Sequence, residues 1–182
     1  MAPKPSSASS RHKIALTLGP SRRSLIGCAQ GQQRISTRPI RSGTPDVRKL
    51  LDASAFWRLG SAQLDQARHR EVADWIARGL VAASTPLMLE TRAGRVLPPV
   101  DPGELPLLSI TKRAEHRAVE LQDQLRCAHQ HLGVPPLDYL AAAIAEDHDA
   151  AILHYDADFE RLAAHTDLAA AIEALAPLGT LP

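Results

Sequence analysis

The chain has 182 residues, 45% of them apolar, enough for one domain with a full core. No apolar run approaches the ~18 residues of a membrane span, and Cys28 and Cys127 make neither a CxxC nor a finger spacing, so transmembrane and zinc-ribbon classes are set aside. The net charge of +1 conceals an asymmetry: residues 1–50 carry +9, and the remaining 132 carry −8.

Residues 1–46 are rich in Ser, Arg, Pro and Gly, lack sustained periodicity, and are predicted to be a basic, disordered extension. "IALTLG" is too short for a secretory core. "LIGC" at 25–28 is a poor lipoprotein box because Arg22 and Arg23 sit where the apolar stretch should be. Charge alone allows a nucleic-acid-binding arm. A start at Val47, encoded by GTG, would instead remove the extension altogether.

From Val47 the pattern becomes organised. "VRKLLDASAF" predicts a strand over 47–51 and a tight turn into a helix. Leu64, Val72, Trp75 and Ile76 recur at helical spacing over 63–78, and Gly79 provides a stop. "AASTPLMLE" is a compact apolar segment, predicted as a strand ending at Glu90. Pro98, Pro99, Pro102 and Pro106 predict loop over 91–110. Thr111 is a cap for the next helix, where Ala114, Ala118, Leu121, Leu125, Ala128 and Leu132 alternate steps of four and three. "GVPPLDYLAAAIAEDH" starts another helix with Asp138 in its first turn, "AAILHY" reads as a strand, and "ADFERLAAH" as a short helix. The end, "DLAAAIEALAPLGTLP", is ambiguous between a helix and a final edge strand. Strands alternating with helices predict an α/β fold, a parallel sheet with helices on both faces. Ligands of such sheets bind outside the carboxyl ends of the strands.

Acids occupy those ends. Asp52 closes the first strand, Glu90 the second and Asp156 the late one, with Asp158 two residues on; Asp138 opens a helix facing the same rim. Each alone is explained as a helix-start residue. Together, four carboxylates on one rim would repel strongly unless a cation neutralised them, and oxygen ligands select hard ions such as Mg2+ or Mn2+. His129, His131, His148 and His154 show no zinc-protease spacing, and no G-x-S-x-G or phosphate-cradling glycine loop occurs. His154 is expected to pack rather than react. Phe56, Trp57, Tyr139, Tyr155 and Phe159 flank the acids and are expected as core or rim packing.

Taken in order, "LLDASAFWRL", "STPLMLE", "RAVELQDQLRCAHQHLGVPPLDYLAAAIAEDH" and "AILHYDADFERLA" resemble a PIN domain, and more narrowly the VapC toxins of bacterial toxin–antitoxin pairs. The resemblance covers residues 47–182, and "ALAPLGTLP" is similar to the family's terminal strand and tail. It implies a three-layer α/β/α fold with a central parallel sheet of about four to five strands. It further implies a cytoplasmic, metal-dependent endoribonuclease using Mg2+, with Mn2+ as substitute. The implied partners are an RNA substrate, a cognate VapB-like antitoxin and a second copy in a homodimer, with no membrane. By the same resemblance Asp52, Glu90, Asp138 and Asp156 are the catalytic acids and metal ligands, with Asp158 and Ser54 in support. Arg58, Arg92 and Arg95 follow the first two strand ends and are candidates for guiding the RNA backbone. The basic extension departs from the family, and so does the proline content of 91–110.

A D-x-D phosphatase or a phospho-receiver would want a downstream Lys, yet none follows Lys112. A nuclease or phosphodiesterase acting on DNA, a solitary nuclease outside a toxin–antitoxin pair, and a non-catalytic PIN-like scaffold remain as alternatives.

Overall fold

Neighbouring residues of each strand feed opposite cores. Leu50 and Ile152 pack on one face of the sheet while Leu51 and Leu153 pack on the other; Ala82 likewise opposes Val81 and Ala83. This is the period-two alternation of a sheet covered on both sides. The computed structural model describes residues 48–94 and 101–182. The extension over 1–46, Val47 and Arg95 lie outside the described residues.

The strands are β1 (Lys49–Leu51), β2 (Val81–Ser84), β3 (Leu107–Leu108), β4 (Ala151–His154) and β5 (Ile172–Ala174). They form one sheet in the order β3-β2-β1-β4-β5, with every pair parallel. The helices are α1 (Ala53–Phe56), α2 (Gln66–Ala77), α3 (Thr85–Ala93), α4 (Lys112–Cys127), α5 (Pro136–Asp147) and α6 (Ala157–His165). Phe56, Val72 and Leu87 bring α1, α2 and α3 onto the face of Leu51. Leu121, Leu125, Ala142, Ile144, Phe159 and Leu162 bring α4, α5 and α6 onto the face of Leu50. The expected three-layer α/β/α architecture with a central parallel sheet is the observed one.

Local chemistry sets the element boundaries. Asp65 accepts the N–H groups of Ala67 and Arg68, so α2 starts at Gln66 and Leu64 packs ahead of it rather than within it. Gly79, at φ 69°, takes the left-handed turn that ends this helix. Thr111 caps α4 through the Ala114 N–H, as its sequence predicts. That helix stops at Cys127, and Leu132, expected on its apolar stripe, is instead exposed in the following loop. The final segment resolves as the edge strand β5.

The segment 82–90 departs from expectation. It is not a strand ending at Glu90: β2 stops at Ser84 and α3 begins at once. Pro86 explains the change, because it lacks an N–H and suits the first helical turn, where that donor has no partner anyway. Leu87 and Thr91 are buried, and the Thr91 hydroxyl donates to the Leu87 carbonyl at 2.9 Å. Glu90 therefore stands in the second turn of a helix. The segment 101–110, predicted as loop, holds a 3-10 turn at Pro102–Glu104 and the short β3.

Candidate active site

Three structural devices bring acids to the carboxyl edge of the sheet. Asp52 follows β1 in extended conformation, and its Oδ2 accepts the Ser54 N–H at 2.8 Å and the Ser54 hydroxyl. Asp156 follows β4 and caps α6 by accepting the Asp158 N–H at 3.0 Å. Register makes these two neighbours: β1 and β4 pair with Leu51 opposite Leu153, and the Asp52 N–H donates to the Leu153 carbonyl at 3.0 Å. Asp138 enters from the first turn of α5, just after Pro135 and Pro136. Glu90 comes from α3.

The tightest group is Asp138, Asp156 and Asp158, each offering a carboxylate oxygen within 4.8 Å of the others. Asp158, expected only in support, is thus a member of the central group. Asp52 and Glu90 lie outside that trio but feel its charge. Burial foremost, and then the charges of Asp52, Asp156, Glu90 and Asp158, push the Asp138 carboxyl up to about 8. Burial also raises Glu90, with Asp52 and Asp156 adding to it. Burial raises Asp52 despite the bonds from Ser54, and Asp156 contributes in the same direction. Asp158 is raised by burial and Asp156, against the opposing pull of Arg161.

A divalent cation fits this donor set. Asp138 Oδ2 is buried without a hydrogen-bond partner, an arrangement that costs free energy unless something positive meets it. The surrounding donors are all carboxylate oxygens, the chemistry of Mg2+ and Mn2+ rather than of softer ions.

The flanking cations differ from one another. Arg58 is engaged: its guanidinium stacks 4.6 Å from the Tyr155 ring centroid and donates to the Ser54 carbonyl at 2.9 Å. Arg92 is exposed in the last turn of α3. Arg161, not singled out from sequence, lies 3.1 Å from Asp158 and is the only cation ion-paired to these five acids among the described residues. Its i, i+3 spacing from Asp158 on a helix was the available signal. His154 is fully buried, as expected.

This fold has counterparts among known proteins. The PIN domain family model matches residues 49–165. The chain belongs to the PIN domain family. Ribonuclease VapC21 of Mycobacterium tuberculosis (strain H37Rv) is 35% identical over 127 residues, covering 66% of this chain and 89% of that protein. The DNA-bound VapBC structure of Salmonella typhimurium matches with a TM-score of 0.53 at 14% identity, covering 71% of this chain and 99% of that one. The VapBC2 structure of Rickettsia felis, bound to a promoter DNA fragment, matches with a TM-score of 0.51 at 12% identity, covering 70% and 98%. At such identities these two structures speak for the fold.

Proposed function

We propose that the chain is a metal-dependent endoribonuclease toxin, hydrolysing RNA phosphodiester bonds and neutralised by a cognate VapB-like antitoxin. The observation that carries this reading is the convergence of Asp138, Asp156 and Asp158, with the Asp138 Oδ2 buried and unpartnered among them. The 35% identity to a protein named as a ribonuclease supports RNA as the substrate.

Asp138, Asp156 and Asp158 would hold Mg2+ or Mn2+, with Asp52 and Glu90 completing the acidic surround. The chemistry supplied there by a bound ion is activation of water and neutralisation of phosphate oxygens. The protein's own work is positioning. Ser54 fixes the Asp52 carboxylate, the α6 cap fixes Asp156, and the proline entry of α5 delivers Asp138. Carboxylates repel a phosphodiester, so RNA engages poorly until the site is neutralised. Arg92 is offered to the RNA backbone from the rim. Arg58 contributes by bracing the turn after β1, and Arg95 has the same proposed role as Arg92.

An antitoxin that places a basic side chain among the acids would occupy the site in the ion's stead. Action on cellular RNA places the protein in the cytoplasm, and the described residues contain no helix long and apolar enough to cross a membrane. The active form is proposed to be a homodimer of the domain spanning 47–182.

The test is Asp52→Asn assayed against matched RNA and DNA. Cleavage of RNA alone by the native chain, lost in the variant while its circular dichroism is unchanged, is expected. Undiminished cleavage by the variant would overturn the assignment, and cleavage of DNA alone would overturn the substrate.

A further inference from the structure

His154 ends β4 with no solvent exposure, and none of the chemistry above uses it. Its backbone is held from the neighbouring strand, where the Leu175 N–H donates to the His154 carbonyl at 2.7 Å. Its ring lies 5.3 Å from that of Phe159. The imidazole therefore has little room to turn.

The ring is aimed at the turn that carries two of the acids. Nδ1 stands 2.9 Å from the carbonyl oxygen of Asp156, and the Asp156 N–H is directed at it from 3.2 Å. Nδ1 thus donates to the Asp156 carbonyl in one tautomer and accepts the Asp156 N–H in the other, and either tautomer ties the ring to the Asp156 backbone. Nε2 is buried without a hydrogen-bond partner, 3.6 Å from Glu160 Oε1. An arrangement that leaves one nitrogen unsatisfied to serve the other favours the Asp156 bond over simple space filling.

The Asp156 peptide is thus gripped at both ends. Its backbone meets His154 Nδ1, and its side chain accepts the Asp158 N–H at 3.0 Å. Rotation of that peptide would swing Asp156 and, through the cap, the start of α6 with Asp158. We propose that His154 is a positioning residue whose Nδ1 fixes the Asp156 backbone and so aims the Asp156 and Asp158 carboxylates at their shared cation. The proposal rests on the metal-centre reading given above.

Asparagine and glutamine separate this role from packing. The Asn side-chain amide, as donor or acceptor, falls where Nδ1 lies, whereas the Gln amide reaches the Nε2 position. Manganese uptake by the full chain is measured by titration calorimetry and by electron paramagnetic resonance, with folding followed by circular dichroism. His154→Asn is expected to bind within about threefold of the native chain, and His154→Gln and His154→Leu to bind about ten- to a hundredfold more weakly. Native-like affinity in His154→Gln, or a loss as large in His154→Asn as in His154→Gln, overturns the positioning role. Should His154→Leu fail to fold, the contrast between Asn and Gln decides alone. Absence of manganese uptake by the native chain would instead overturn the metal centre itself.

Discussion

Ser54 Oγ accepts the backbone N–H of Tyr155 at 2.9 Å while donating its own hydrogen to Asp52. One hydroxyl thereby ties the turn after β1 to the end of β4 and orients an acid in the same act. Ser54→Ala leaves the Tyr155 N–H unpaired and Asp52 loosely held. Urea denaturation is expected to show a loss of about 1–2 kcal/mol, and manganese affinity to fall about tenfold. Ser54→Thr keeps the hydroxyl and is expected to restore most of both.

The raised Asp138 carboxyl makes stability depend on pH in a direction opposite to ordinary acid denaturation. Its folded value of about 8 lies above the ordinary 3.8. Its contribution is therefore fully present below 3.8 and is lost as pH climbs through about 8. The metal-free protein is expected to melt at a lower temperature at about pH 8.5 than at about pH 6, and added Mn2+ to reverse the order by binding the ionised form. Scanning calorimetry at both pH values, with and without manganese, checks this.

Asp138→Asn removes the charge at the most strained position. Thermal melting of the metal-free variant is expected to rise by about 2–4 °C, while RNA cleavage and manganese uptake are lost. A variant that gains stability as it loses activity is the signature of a site held against its own repulsion.

Glu173 on β5 accepts hydrogen bonds from Lys49 and Arg68, and both cations also lie within about 5 Å of the Trp75 ring. Burial works against its charge, but these bonds outweigh it and hold the carboxyl below its ordinary 4.5. The stabilisation is present above 4.5 and lost as pH falls below it. Glu173→Gln is expected to lower the melting temperature by about 2–4 °C at neutral pH, with the difference from the native chain vanishing in acid.

Arg58 and Arg92 are expected to separate in kinetics. Arg92 is exposed, so Arg92→Ala should raise the KM for RNA with kcat nearly unchanged. Arg58 braces Ser54 and Tyr155, so Arg58→Ala should lower the melting temperature and kcat instead.

Much of this architecture could be read from residue order. The steps of four and three in α4, the Thr111 cap and the acids at helix starts each have a local physical cause, so they were legible without tertiary information. "AASTPLMLE" was not, because a short apolar run has no periodicity to separate strand from buried helix. Pro86 was the deciding residue, and its helix-start meaning emerges only once β2 is seen to stop at Ser84. The spacing of Asp156 and Asp158 was visible, but not which oxygens converge with Asp138, since that depends on how α5 docks. The His154 bond to Asp156 was equally hidden: strand periodicity fixes a side chain's face, not the atom its ring will meet.

Behind Asp138, α5 presents Ala141, Ala142, Ala143 and Ala145, all buried between the sheet and its neighbours. Methyl groups so small act as shims, setting the standoff between helix and strands. Thickening one of them, as in Ala142→Val, would lift the far end of the helix and tilt its leading carboxylate out of alignment with every charge intact. The alignment of the acids is thus gauged by side chains that take no part in their chemistry.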